Sequence, residues 1–285
     1  MNDASVTDPG RNETGLAGTG GSGTAEQTGS VATQVGGHID GDGLSITAAR
    51  EGSVSANAVG GVAGVFAGSG AGATANDRGT VNVTLASGTE LDAGQGALTI
   101  SARSNPHAEA DAVGVAVAGG AAVGISVAEA EVDSDVSVTS LGALTLKGDT
   151  VNVSAVLGSG DSSVSSQASA GAGALLLGAT GASATASNTG ISKVDLAPGV
   201  ELVTSGDVGI TATDAMHTES SAVGIGAGFV GLGMAFSSAV SDTTVSVDAA
   251  GIRGDVGGSL QVKASGNESI DSEAIAGSGG VVAGA

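Results

Sequence analysis

The chain has 285 residues, with 52 Gly, three Phe and no Trp, Tyr or Cys. Lack of Cys excludes disulfides, thiol nucleophiles and Cys-based metal centres. Near-absence of aromatics argues against an ordinary thick globular core, because those side chains bury the most area each. A formal charge of −21 argues against nucleic acid, which needs clustered Lys and Arg, and would be repelled by an anionic membrane surface; it reads as a solvated surface that resists aggregation and could draw divalent cations.

Residues 1–35 form a polar, Gly-rich leader or a degenerate partial repeat, as in Gly15-Leu16-Ala17-Gly18-Thr19-Gly20. After Gly23 the chain runs through Val31 and Ile39 to Leu44, much as it runs from Gly70 through Val81 and Leu91 to Leu98. The first 30 residues lack an apolar signal-peptide region. No stretch of 18 strongly apolar residues marks a membrane span; the nearest, residues 168–186, is diluted by Gly, Ser and Thr.

From residue 36 to 285 one pattern returns. Leu44-Ser45-Ile46-Thr47-Ala48 is followed by Leu98-Thr99-Ile100-Ser101-Ala102 and Val151-Asn152-Val153-Ser154-Ala155. Val208-Gly209-Ile210-Thr211-Ala212 and Leu260-Gln261-Val262-Lys263-Ala264 complete the set, at steps of 54, 53, 57 and 52 residues. Each alternates apolar with polar, the sign of a strand with one buried face. A fixed period of this size means one unit stacked on the next.

A Gly/Ala/Val zone follows each of these anchors. Ala58-Val59-Gly60, Ala112-Val113-Gly114, Ala222-Val223-Gly224 and Ala274-Ile275-Ala276 all begin 14 residues after their anchor. In the second unit two apolar runs flank Gly119-Gly120, which predicts a hairpin with both faces covered by neighbours. A further alternating strand comes next, as in Val81-Asn82-Val83-Thr84-Leu85 or Val245-Ser246-Val247. A turn and short strand such as Pro198-Gly199-Val200-Glu201-Leu202 lead to the next anchor. The third unit is longest, and its extra residues fall around Gly158-Ser159-Gly160-Asp161, a loop where insertion is cheap.

These elements predict an all-β chain: a β-solenoid of about five units of ~54 residues, with strands about 4.8 Å apart along the stack. A β-sandwich array is the alternative and would call for larger core residues. Both ends lack the polar cap of a terminal unit, so an excerpt of a longer array is expected.

No catalytic site is legible. His107 and His217 each lie nine residues after an anchor, with Glu109 and Asp111 following one and Glu219 the other. A His/carboxylate cluster can bind metal, but the other units place Ser53, Gly160 and Ser269 at that offset, and an exposed polar turn is the reading adopted. Residues 36–44, Gly-Gly-His-Ile-Asp-Gly-Asp-Gly-Leu, are similar to Ca²⁺-binding nonapeptides of β-rolls, which need tandem copies that share each ion. This copy is single, so it reads as a turn, with calcium as a minor alternative and no other cofactor. Gly224-Ile225-Gly226-Ala227-Gly228 lacks the helix and Lys of a phosphate loop and reads as backbone packing.

The anchors, the Ala112–Val127 zone and the Gly-x-x-Leu turns resemble repeats of large bacterial filamentous haemagglutinin-like and leukotoxin-type filamentous adhesins, over residues 36–285. The resemblance implies a right-handed parallel β-helix, secreted to the cell surface, that mediates attachment or aggregation. It implies no functional residues. The function expected is a non-enzymatic stalk segment of an extracellular adhesin. Its partners would be neighbouring or host cell surfaces, reached through other regions of the parent protein. The alternative is a subunit that assembles end to end into an extracellular fibre or sheath.

Overall fold

The computed structural model describes residues 2–9 and 16–285; Met1 and residues 10–15 of the Gly-rich leader lie outside the described residues. Every regular element among the described residues is a β-strand, and every strand pairing is parallel. Gly recurring every few residues explains the lack of helix, since each costs about 1 kcal/mol relative to Ala in a helix interior.

The anchors form one sheet: Leu44–Glu51, Ala97–Asn105, Thr150–Leu157, Val208–Asp214 and Leu260–Gly266, each unit beside the next. Register follows the sequence alignment residue for residue. Leu44, Leu98, Val151, Val208 and Leu260 form one column, and Ile46, Ile100, Val153, Ile210 and Val262 another. A one-residue slip would turn both columns to the opposite face, which is why the apolar alternation holds the register.

A second sheet is built from the short strands His38–Asp40, Glu90–Asp92, Thr145–Gly148, Glu201–Thr204 and Arg253–Val256, in the same ascending order. Turns lead into several of them through glycines with positive φ, such as Gly88 (76°) and Gly199 (93°), a conformation Gly adopts without a Cβ penalty.

The third sheet takes the rest of each unit. Its strands are long: Val54–Leu85 in the first unit and His107–Ser140 in the second. The third unit divides the same path into Ser163–Ala174, Leu177–Asn188 and Ile191–Asp195. The fourth divides it into His217–Ala227, Val230–Ser241 and Thr244–Asp248. The fifth contributes Ser269–Gly279 and Val282–Gly284. Asn2–Pro9 and Leu16–Val35 pair with the first unit in the same way, with Val31 beside Val81, while Ile39 lies beside Leu91 in the short-strand sheet. The insertion in the third unit is a loop at residues 158–162, after which Ser163 rejoins the register beside His107.

Two kinds of core result. Where the three sheets meet, they enclose a body of Leu, Ile and Val. Val81, Val83, Leu85, Leu91, Leu98 and Ile100 are all fully buried there. Each contributes about 1.5–3 kcal/mol by leaving water. The remainder is an arm that runs out from the body and returns, and its interior is almost wholly Ala, Gly and Ser.

The arm corrects the hairpin expectation. Residues 107–118 and 121–132 do not hydrogen-bond to each other; each half pairs with its equivalents in the units above and below. The two halves instead face each other through their side chains. A Cβ added at Gly114 would lie 2.6 Å from the Ile125 carbonyl oxygen, and at Gly226 it would lie 2.1 Å from that of Leu232. Layers this close leave no room for a side chain and sit well inside the ~10 Å of ordinary stacked sheets. In sequence, apolar runs flanking Gly-Gly look alike in a hairpin and in this folded arm.

Candidate functional site

The arm interior uses up the small residues, so the alternating positions point outward, and the larger ones among them are exposed. Val115 is 43% exposed, Ile125 51%, Met234 56% and Phe236 65%. This overturns the expectation that both faces of the Gly/Ala/Val zone are covered. An exposed run of this kind is the feature that marks interaction surfaces on otherwise soluble proteins.

The returning half of the arm has a relief that alternates from unit to unit. In the first unit its outward positions run from the exposed Phe66 to Gly68, Gly70 and Gly72. Register places Val123, Ile125 and Val127 of the second unit beside these glycines. Next come Ala179, Gly181 and Ser183 of the third, then Leu232, Met234 and Phe236 of the fourth. Low, high, low and high strips therefore follow one another at about 4.8 Å spacing. The low strip of the third unit is the floor of an apolar groove of about 300 Å³, walled by Ile125 and Val127 on one side and Met234 and Phe236 on the other.

Charge on this face is concentrated nearer the body. The second unit carries Glu129, Glu131, Asp133 and Asp135 at successive outward positions, while the third has Thr185, Ser187 and Thr189 beside the first three. Arg78 of the first unit bonds Glu131 at 2.7 Å and lies 3.4 Å from Glu26. Burial, then repulsion from Asp133, pushes the Asp135 carboxyl above its ordinary range.

The residues singled out in the sequence fall elsewhere. His107 lies in a column with Ser163 and His217. Ser163, not Gly160, therefore holds the third unit's place, because the insertion shifts the offset. The His107 ring Nδ1 meets the Ser163 hydroxyl at 2.7 Å, and His217 Nε2 lies 3.6 Å from Glu219. Glu109 and Asp111 point to the same side as His107, and burial followed by the Glu109 charge raises the Asp111 carboxyl. Among the described residues, no three His, Asp or Glu side chains gather in a metal-binding arrangement.

In the segment of residues 36–44, His38 bridges Asp40 at 2.8 Å and Glu90 at 3.1 Å. Lys147 of the second unit's short strand also bonds Glu90, holding that carboxyl below its usual range. These contacts form a polar ladder across three strands at the surface. Gly224 and Gly226 pack against the facing backbone of Met234 and Leu232, and residues 168–186 lie in strands of the arm.

Sequence reasoning missed one buried pair in the neck between body and arm. Arg50 at the end of the first anchor reaches Asp77 on the returning strand, and both are buried. Gly52 and Gly79 make room for it: a Cβ at Gly79 would lie 2.6 Å from the guanidinium. In the fourth unit the Arg50 position is Asp214, whose side chain is buried. Desolvation pushes its carboxyl up to about 6, with Glu268 of the next unit adding to the rise and Thr243 opposing it. No protein-family model, curated protein or solved structure matches the chain.

Proposed function

We propose that the chain is a non-enzymatic structural segment: a right-handed β-solenoid that forms part of the stalk of a bacterial cell-surface adhesin. It would hold a binding region away from the cell and support attachment or aggregation. One observation carries the reading. Five successive anchors keep one order and register in the anchor sheet, and the five short strands that precede them keep the same order in theirs. A stack with backbone hydrogen bonds running along its axis resists axial load through every strand at once, and equivalent units allow the array to lengthen by repetition.

The test is to lengthen the array and measure its dimensions. A second copy of residues 98–259, three whole units, inserted after residue 259 should add about 14 Å along one axis and leave the cross-section unchanged in small-angle scattering. Growth in the cross-section, or a separate folded body, would overturn the solenoid and the stalk with it.

A further inference from the structure

We propose that the returning face of the arm recognises a second copy of this chain, the two packing face to face about a two-fold axis that runs parallel to the strands between the second and third units. The proposal does not depend on the stalk reading, and it replaces end-to-end stacking with lateral pairing as the mode of self-association.

The relief selects this arrangement. A two-fold parallel to the strands reverses the order of units and leaves the position along each strand unchanged. The first unit then faces the partner's fourth, and the second faces the partner's third. Over the three positions from Gly68 to Gly72 every high strip meets a low one, and at the end of the strip the exposed Phe66 meets the partner's Val230, apolar against apolar. Leu232, Met234 and Phe236 lie over the partner's Gly68, Gly70 and Gly72, so the bulkiest ridge meets the barest floor. Val123, Ile125 and Val127, a slimmer ridge, lie over the partner's Ala179, Gly181 and Ser183. A two-fold along the stack axis would set ridge against ridge. An isologous contact of this kind closes on itself, as most homodimers do.

Charge agrees with shape. Nearer the body, Glu129 and Glu131 face the partner's Thr185 and Ser187, which can donate hydrogen bonds, and Asp133 faces Thr189. Arg78 faces Asp242, the residue after Ser241 in the fourth unit. Over residues 66–78 no carboxylate opposes another, in a chain whose net charge is −21.

The area is sufficient. Four strands about 4.8 Å apart, each about 12 residues of 3.3 Å, present roughly 760 Å² per copy. That is about 1,500 Å² for the pair, within the range of stable specific interfaces.

The test is sedimentation of the full chain from 1 to 200 µM, alongside three sets of variants. G70R and G181R place a long cation in both low strips, where a Cβ meets nothing within 4 Å, so the fold is retained and can be checked by circular dichroism. Together they should weaken dimerisation at least tenfold. The double variant G70C/M234C, in a chain with no other Cys, should form an intermolecular disulfide across the two-fold, and neither single variant should. A strict monomer at 200 µM would overturn the proposal. So would a dimer insensitive to G70R/G181R, or one cross-linked by G70C alone. Binding of the monomer to phosphatidylcholine vesicles or to an apolar extended peptide would reassign the face to that occupant.

Discussion

The guanidinium of Arg50 closes on the carboxylate of Asp77 in the neck of the first unit, with Nη1 3.3 Å from Oδ2. Both side chains are buried and 27 residues separate them in the chain. At the equivalent positions the second unit has Ser104 and Val132, a smaller neutral pair, and it carries Ser134 where the first unit has Gly79. Breaking the pair from one side should be the costly change. R50A or D77A leaves a buried charge alone and should lower stability by about 3–5 kcal/mol. The double variant R50S/D77V removes the lone charge and should recover part of that loss in denaturant midpoints, while R50S/D77V/G79S, which also fills the space beside Gly79 as Ser134 does in the second unit, should recover more.

Glycines in the arm should divide by environment. G114A places a methyl group against the Ile125 carbonyl and should cost about 1–3 kcal/mol through overpacking. G181A meets nothing within 4 Å and should be neutral or stabilise by about 0.4–1 kcal/mol, because it restricts the unfolded chain. Thermal melts of the two variants should move in opposite directions or differ by several degrees.

In the body, L98A removes a fully buried side chain from the three-sheet core and should cost about 2–5 kcal/mol. By contrast K147A breaks only the exposed bond to Glu90 and should change stability by less than about 1 kcal/mol. Chemical denaturation of the two variants checks the contrast.

Asp214 should make stability depend on pH. Its carboxyl titrates near 6 in the folded chain, against an ordinary value of 3.8. Below the lower value both states hold the proton. Between the two, the folded state holds it and the unfolded state does not, so stability falls as pH rises from about 4 to about 6 and is level above that. Glu268 is shifted downward and offsets part of the decline. D214N should flatten the profile over this window and raise the melting temperature at pH 7. A profile identical to the parent chain would exclude Asp214 as its source.

The anchors were legible because register in a parallel stack is a property of equivalent residues. Leu98, Val151 and Val208 share a column for the same reason that they share a place in the repeat. The folded arm was not, because the local pattern around Gly119-Gly120 is the same whether the two halves bond to each other or to neighbouring units. Period-two alternation says that Val115 and Ala116 point to opposite sides, yet it cannot say which side is covered. Here the smaller residue points inward, since layers so close are filled mainly by Ala, Gly and Ser. The Arg50–Asp77 pair had no local signal, because its members lie on different sheets and the other units replace it.

The pitch of the stack sets what such a chain is good for. Each unit takes about 54 residues and climbs one strand spacing, so a projection of 1,000 Å would need roughly 11,000 residues at about 4.8 Å per unit. The 12 residues of Ser163–Ala174 alone reach about 40 Å sideways. Polypeptide arranged like this yields breadth far faster than height. Each added unit therefore enlarges the flank by a whole strip while lengthening the stack by a single strand spacing.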